Sequence, residues 1–331
     1  MPVEYSVEDR SILLPWYKKA VVDPVVRRLP ATLHPNTITH AGHLLNLLGL
    51  AAVIAVHPRG PSAVYVIPAI TLHLYNLCDN ADGAHARRTK QTSPLGELLD
   101  HGLDLLNVAY IAALSALAIG ASPLGSVAMV AAVTGAAAAV YWEQAETGVF
   151  QLGLLNQVEA TFVLSGVLVT AAIVGPEAIG AVHVGPIALR DGVAFTVVVG
   201  AIAGVLHGGL RVHRRRGNLA PFVTLVAFGL TAVLAVATST LGWPIGAALA
   251  ATGYVFLGIR SLTLRMRGRK PLRETGVLVL VAVLGACIVW GKTGADVARV
   301  ASVASVAGAL ALLALSLVHA RRGLAAATGR S

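Results

Sequence analysis

Long runs of apolar residues, separated by short polar segments, cover most of this chain of 331 residues. A run of about 20 apolar residues is long enough to cross the hydrocarbon core of a bilayer as an α-helix. The runs therefore predict an all-α polytopic membrane protein with ten spanning helices. The predicted ranges are 37–57, 61–82, 94–118, 122–145, 157–175, 191–211, 219–238, 241–260, 273–291 and 295–319.

An amphipathic segment precedes the first of these runs. Residues 11–29 combine Trp16, Tyr17 and several aliphatic residues with lysines and arginines. Such a mixture is typical of a helix that lies in the headgroup region of a membrane, with its apolar side toward the acyl chains. We expect an interfacial helix here, which Pro15 and Pro24 would break into short pieces.

The composition shows no soluble domain. Hydrophobic residues make up 56% of the chain, charged residues only 12%, and the mean hydropathy is +0.74. We expect an N-terminal cytoplasmic or interfacial segment (1–36) and a membrane core (37–212). Additional C-terminal helices (213–319), which contact lipid or a second subunit, and a cytoplasmic tail (320–331) would follow.

The basic residues are distributed asymmetrically between the two predicted sides of the membrane. Of the 25 lysines and arginines, 21 fall on one side, in the segments 10–28, 87–90, 211–216, 260–273 and 321–330. The positive-inside rule then predicts a multi-pass protein with both termini in the cytoplasm. Because no soluble module carries the arginine clusters, no nucleic-acid partner is expected. Short loops and spans rich in Ala and Gly suit a bacterial inner membrane.

Four carboxylates stand where the second and third apolar runs meet. Asp79 and Asp82 are three residues apart, and Asp100 and Asp104 are four apart, so each pair shares one face of a helix. Charged side chains at membrane depth are costly and normally mark a functional site with a counter-ion. Carboxylate oxygens suit hard divalent cations such as Mg²⁺, which also bind substrate phosphates.

Glycines and an arginine accompany the acids. Gly83 and Gly96 give places where a ligand can approach the backbone, and Arg87 lies one helical turn after Gly83 and can fork onto a phosphate. This set favours phosphoryl-type transfer with one or two metal ions, recessed near the cytoplasmic surface. A structural ion network of the acids with nearby Arg and Lys is the plainer interpretation, and the number and spacing of the acids disfavour it.

The motif as a whole resembles a known family. The pattern D-x2-D-G-x2-A-R-x8-G-x3-D-x3-D is the signature of the CDP-alcohol phosphotransferase (CDP-alcohol phosphatidyltransferase) family. Here it is filled by Asp79, Asp82, Gly83, Ala86, Arg87, Gly96, Asp100 and Asp104. The Asp100-His101-Gly102 tripeptide resembles the choline/ethanolamine phosphotransferase branch of that family. Two further segments resemble the same branch: Pro35-Asn36-x-Ile38-Thr39 with Gly42 and Asn46, and Trp142-Glu143 with Thr147-Gly148, Gly153 and Glu159.

The resemblance implies a reaction and roles for the matched residues. A CDP-alcohol, such as CDP-ethanolamine or CDP-choline, would give its phosphoalcohol to the hydroxyl of a lipid such as diacylglycerol, and CMP would leave. Two Mg²⁺ or Mn²⁺ ions would be held by Asp79, Asp82, Asp100 and Asp104. The nucleotide and its phosphates would contact Asn46, Gly83, Ala86, Arg87 and Gly96. A homodimer is also implied.

The resemblance leaves the base that takes the hydroxyl proton open. The branch implies His101 assisted by Glu159, whereas other branches of the family assign this role to the last acid, here Asp104. A neutral imidazole is a suitable proton acceptor near neutral pH.

This chain also departs from the branch at one place beside the acids. The branch has Lys-Gln after Asp-Gly, where this chain has Ala84-His85. The loss of a positive charge puts the identity of the alcohol in doubt. His85 either replaces part of the missing function or is a loop residue at the membrane surface.

Two alternatives to the leading function stay open. One is a phosphatidyltransferase of the same family that uses CDP-diacylglycerol and a small polar alcohol. Asp100-His101-Gly102, Glu159 and ten predicted spans disfavour it. The other is a divalent-cation transporter that uses the acids for permeation. Transporters tend to place such charges at the bilayer midplane, and Arg87 would repel cations.

Overall fold

The computed structural model describes residues 6–9, 11–57, 59–152, 157–271, 274–290 and, near the C-terminus, 307–308, 310–315, 317–318 and 321–322. The predicted tenth span (295–319), the tail (320–331) and Gly153 lie wholly or largely outside these described residues. Of the described helices, seven are long and apolar enough to cross a membrane, so the prediction of an all-α polytopic membrane protein is confirmed. The predicted count of ten spans is not confirmed.

The helices follow the apolar runs closely. The short N-terminal helices are α1 (Leu14–Tyr17) and α2 (Asp23–Arg28). The long ones that follow are α3 (Pro35–Val56), α4 (Val66–Thr89), α5 (Pro94–Ala118), α6 (Pro123–Thr147) and α7 (Gln157–Val174). The rest are α8 (Pro176–Ala181), α9 (Leu189–Arg214), α10 (Ala220–Ala237), α11 (Trp243–Met266) and α12 (Thr275–Trp290). The 24-residue α4 is not among the seven candidate spans, since its second half carries the acidic motif.

Only short strands interrupt the helices in the described part of the chain. Strands β1 (Ser6–Asp9) and β2 (Val149–Leu152) each have four residues. Strands β3 (His183–Val184) and β4 (Ile187–Ala188) form a small antiparallel hairpin between α8 and α9.

Two helix starts use the same local sequence. Ser93-Pro94-Leu95-Gly96 begins α5 and Ser122-Pro123-Leu124-Gly125 begins α6. In each, the serine hydroxyl accepts a hydrogen bond from the glycine N–H, at 3.0 Å in α5 and 3.1 Å in α6. A serine N-cap satisfies one of the free N–H groups of the first turn, and proline at the first position has no N–H to satisfy. The sequence thus fixes where both helices begin.

The chain divides into two compact units. The first consists of residues 1–6, 121–150 and 190–331, and the second of residues 7–120 and 151–189. In the first unit, α6 packs along α11 and α10, and α10 also contacts α12. In the second unit, α3 packs along α4 and α5, while α7 packs against α4 and α5. All the candidate site residues belong to the second unit, and the predicted domain boundaries stay predictions.

The N-terminal segment of the second unit is helical, as expected, and packs on the bundle. A π-helical turn, Lys18–Val22, joins α1 to α2 just before Pro24. Proline has no N–H and its ring clashes with the carbonyl four residues earlier, which explains a wider turn at this place. Tyr17, Val22 and Val26 are buried in one apolar cluster with residues of α3, α4 and α7.

The α3–α4 contact that supports the site is unusually close at one point. A Cβ atom added to Gly42 of α3 would lie 2.7 Å from the Cβ of Cys78, the residue before Asp79. The absence of a side chain at residue 42 therefore sets the distance between the two helices beside the acids.

We predict that Gly42→Ala destabilises the protein by about 1–3 kcal/mol, because the added methyl group overpacks a contact with a Cβ atom that has no freedom to move away. The measurement is the thermal unfolding midpoint in detergent. Gly166→Ala in α7 is the matched control, since a Cβ there meets nothing within 4 Å. We expect the control to keep or raise the midpoint. An equal loss in both variants would show that close α3–α4 packing is not the cause.

Candidate active site

Three of the four predicted acids converge in the structure. The carboxyl groups of Asp79, Asp100 and Asp104 each offer an oxygen within 4.8 Å of the others. Asp79 comes from α4 and the other two from α5, and both helices pack against α3 and α7, so the cluster depends on how these four helices pack together. Asp82, one turn after Asp79, is buried on the same helix and is held separately.

Hydroxyl and amide groups from other helices fix these carboxylates. Thr39 of α3 donates its hydroxyl to Asp82 Oδ2 at 2.5 Å, and the hydroxyl of Tyr75 donates to Asp104 Oδ1 at 3.1 Å. Gln157, in the first turn of α7, lies close to Asp79. A carboxylate accepts several such bonds, and each one fixes its orientation.

These supporting residues were not singled out from the sequence. Thr39 lies in a segment quoted for the resemblance, which was a usable signal. Tyr75 and Gln157 belong to no quoted motif, and only the packing of α4, α5 and α7 brings them to the acids.

The arrangement of charge fits a divalent cation. In the described part of the chain, no Lys or Arg ion pair involves the four carboxylates. Arg87 is near Asp82 and Asp100, and it is one cation against four acids. Burying like charges together is strongly unfavourable unless they are neutralised. Three carboxylate oxygens within 4.8 Å of one another form a set of oxygen ligands suited to Mg²⁺ or Mn²⁺.

The predicted glycines have identifiable neighbours. The guanidinium of Arg87 lies over Gly83, where an added Cβ atom would be 3.3 Å from Nη1. At Gly96 an added Cβ would be 3.2 Å from Ser93 Oγ and 3.4 Å from Asn36 Oδ1, so this glycine lets the starts of α5 and α3 approach each other. Ala86 is buried on α4.

Asn46 lies deeper than its predicted contact with the nucleotide suggests. Its side chain is fully buried, and Nδ2 donates to Asn107 Oδ1 at 3.1 Å. This bond joins α3 to α5 one turn beyond Asp104. The role of Asn46 at the nucleotide stays a prediction.

The two residues predicted to handle the proton are placed differently. His101 is half-buried on α5, between Asp100 and Asp104 in sequence. Glu159, in the first turn of α7, is buried, and its Oε1 accepts hydrogen bonds from Ser11 Oγ, Ile12 N and Leu13 N at 2.7–2.8 Å. Sequence reasoning did not foresee this contact with the N-terminal segment.

His85 is a structural residue of α4, and the expectation of a loop position is wrong. It is fully buried, with Nε2 2.8 Å from the carbonyl oxygen of Leu33 and Nδ1 3.1 Å from Arg88 Nη2. The helix continues to Thr89, because the acidic motif does not interrupt the backbone hydrogen bonds.

In the first unit, the Trp142-Glu143 pair quoted for the resemblance anchors other segments. Glu143 forms a bidentate ion pair with Arg211 of α9. The indole N–H of Trp142 donates to the carbonyl of Asn218 at 3.3 Å. The sequence had assigned Arg211 only to membrane topology, because the partner of a distant charge cannot be read from spacing.

We predict that Asp100→Ala weakens Mn²⁺ binding by at least about tenfold. Even the residues that only hydrogen-bond to a metal ligand typically contribute about 10–100-fold to metal affinity. Isothermal titration calorimetry or Mn²⁺ electron paramagnetic resonance on the purified protein measures this. Asp191→Ala, at an exposed position in the first turn of α9, is the control and should bind Mn²⁺ normally. Unchanged binding in Asp100→Ala would exclude the cluster as the metal site.

Comparison with known proteins agrees with this site. The sequence profile of the CDP-alcohol phosphatidyltransferase family matches residues 32–198. Cholinephosphotransferase 1 of Gallus gallus is 34% identical over 179 residues, which cover 52% of this chain and 52% of that protein. Cholinephosphotransferase 1 of Xenopus laevis is 29% identical over 188 residues, or 53% of this chain and 44% of that protein.

Choline/ethanolaminephosphotransferase 1 of Saccharomyces cerevisiae is 33% identical over 108 residues, which cover 31% of this chain and 28% of that protein. The chain thus spans about half the length, or less, of these relatives. The family profile, however, covers half of this chain and includes every residue of the acidic motif. This protein is a member of the CDP-alcohol phosphatidyltransferase family.

Proposed function

We propose that this protein is an integral-membrane enzyme of phospholipid synthesis that transfers a phosphoalcohol from a CDP-alcohol to the hydroxyl of a lipid such as diacylglycerol. The observation that carries the proposal is the convergence of Asp79, Asp100 and Asp104 within a helical membrane unit. Relatives named cholinephosphotransferase and choline/ethanolaminephosphotransferase support phosphocholine or phosphoethanolamine as the group transferred.

The reaction is a displacement at phosphorus. The lipid hydroxyl oxygen attacks the phosphorus that bears the alcohol, and a new P–O bond forms. The bond between this phosphorus and the oxygen that bridges to the CMP phosphate breaks, and CMP leaves with that electron pair. The hydroxyl proton passes to a base on the protein.

The diphosphate of the substrate would be held by Arg87 and by metal ions bound to the acids. Asp79, Asp82, Asp100 and Asp104 would bind Mg²⁺ or Mn²⁺, with two ions expected from the family resemblance. When bound, these ions neutralise charge on the phosphate oxygens and on the leaving CMP. Arg87, over Gly83, presents a planar guanidinium suited to phosphate oxygens. Ala86 and Gly96 are kept as predicted contacts of the nucleotide and its phosphates on the family resemblance alone.

His101 is our proposal for the base, with Asp104 as the alternative. His101 follows Asp100 directly and precedes Asp104 by less than one helical turn. An imidazole accepts an alcohol proton near neutral pH, whereas a carboxylate that binds metal is a weaker base.

The proposed setting follows from the charge distribution. Basic residues concentrated on one side support a cytoplasmic location for both termini and for the active site. A bacterial inner membrane and a homodimer are parts of the same proposal, the first supported by the short loops and the second by the family resemblance.

We expect the purified protein to convert CDP-ethanolamine or CDP-choline and diacylglycerol to phospholipid and CMP in the presence of Mn²⁺, with no turnover in excess EDTA. Thin-layer chromatography of a labelled headgroup measures the product. Turnover only with CDP-diacylglycerol and a small alcohol would favour the second branch of the family. Uptake of Mn²⁺ into proteoliposomes without turnover would favour a transporter.

We predict that His101→Ala lowers kcat by about 10²–10⁴ while the affinity for Mn²⁺ stays near normal, because the base contributes only to proton transfer. Asp104→Asn should instead raise the Mn²⁺ requirement as well as lower the rate. Metal titrations of both variants with the same CDP-alcohol separate these effects. Near-normal kcat in His101→Ala, with Asp104→Asn inactive at saturating metal, would assign the base to Asp104.

A further inference from the structure

The N-terminal helical segment (14–28) is held at its start by the side chain of Glu159 from α7. Three donors of this segment, Ser11 Oγ, Ile12 N and Leu13 N, converge on Glu159 Oε1 at 2.7–2.8 Å, and Leu14 N donates to Ser11 Oγ at 3.0 Å. The N–H groups of Ile12 and Leu13 lie just before α1, where, as in the first turn of a helix, the backbone has no partner within the helix. A carboxylate satisfies them with charge-assisted bonds, which are roughly twice as strong as neutral ones.

The end of the same segment is fastened by the last turns of α4. Carbonyl oxygens between α2 and α3 accept hydrogen bonds from Arg88 Nη2 (to Leu29, 2.6 Å) and Gln91 Nε2 (to Ala31, 3.1 Å). His85 Nε2 lies 2.8 Å from the Leu33 carbonyl oxygen. The residues that hold this end therefore begin only three positions after Asp82.

Between these two attachments, Tyr17 lies against the helices of the acid cluster. Its side chain is only 4% exposed and packs in one cluster with Ala81 and Val158, the neighbours of Asp82 and Glu159 in sequence. Burial raises the pKa of Tyr17, the nearby amide of Asn76 acts against this, and the charge of nearby Asp79 adds to the increase. Asn76 lies on α4, less than one turn before Asp79.

We propose that Glu159 is a positioning residue: it fixes the N-terminal helix against α4 and α7, so that Tyr17 stays beside Asn76 and Asp79 and residues 11–33 form a fixed wall of the acid cluster. This inference rests on the proposed function, since the wall matters for activity only if the acids carry out the transfer. It goes beyond the role implied by the resemblance, in which Glu159 assists His101, and that role stays a prediction.

The contacts explain why a charged residue is needed at this position. Glutamine keeps the shape of Glu159 and removes the negative charge, so the three bonds to Oε1 weaken together. Ser11→Ala removes one of the three donors and leaves the carboxylate in place. If Glu159 acts by holding the N-terminal segment in place, both substitutions weaken the same contact. Their effects on hydrogen exchange and on kcat should then not add.

The experiment compares backbone hydrogen exchange of residues 11–17 with turnover of a CDP-alcohol, on the full chain in detergent. The variants are Glu159→Gln, Ser11→Ala, their combination and Tyr17→Phe, with Glu177→Gln, at an exposed position in the first turn of α8, as control. We expect Glu159→Gln to raise exchange at least tenfold and Ser11→Ala to raise it less. kcat should fall in the same order, and the double variant should resemble Glu159→Gln.

Tyr17→Phe should lower kcat without raising exchange, since it removes only the hydroxyl of a buried side chain near Asn76 and Asp79. The control should change neither quantity. Loss of turnover in Glu159→Gln with full protection of residues 11–17 would overturn the inference and return Glu159 to the proton-transfer step. A wild type that does not turn over any CDP-alcohol would contradict the proposed function instead. The exchange data would still decide whether Glu159 holds the helix.

Discussion

Repulsion among carboxylates held together in an apolar bundle is the constraint on which the rest of the second unit depends. Asp79, Asp100 and Asp104 cannot separate, because α4 and α5 are both packed against α3 and α7. These three carboxyl groups are half-buried, so water solvates them only in part, and hydrogen-bond donors and a cation are needed to offset their charge. The surrounding residues supply the donors, and the cluster itself supplies the cation site.

Much of the unit can be understood as support for this cluster. Thr39 and Tyr75 each donate a hydroxyl to one acid, and Gln157 contacts a third. Gly42 permits the close approach of α3 and α4 beside Asp79. Each contact comes from a different place in the sequence, so the positions of the carboxylates are set by how the helices pack. Functional side chains are generally held in place by surrounding residues on rigid elements.

The N-terminal segment joins this support from outside the bundle. Its amphipathic character suits a membrane interface, yet its apolar side chains pack on α3, α4 and α7. Glu159 holds one end, and the last turns of α4 hold the other. One segment thus packs across the helices that carry the acids. Two of the helices that hold it, α4 and α7, also contribute side chains to the cluster.

The sequence alone determined the membrane class, most helix positions and the residues of the acidic motif. These are local properties: hydropathy over about 20 residues, serine caps before proline, and carboxylates spaced to share a helix face. The motif also identified the family, because its eight fixed positions lie within 26 residues of one another.

Only the tertiary structure decided which partners the residues outside the acidic motif contact. Glu159 and Ser11 are 148 positions apart, and no spacing rule pairs them. The sequence left His85 open between a functional replacement and a surface loop residue, since its partner, the Leu33 carbonyl oxygen, is reached only after the chain folds back. The predicted contact of Asn46 with the nucleotide stays a prediction, and its hydrogen bond with Asn107 depends on how α3 lies on α5. Hydropathy and motif spacing act along the chain, but hydrogen-bond partners are chosen by which helices pack together.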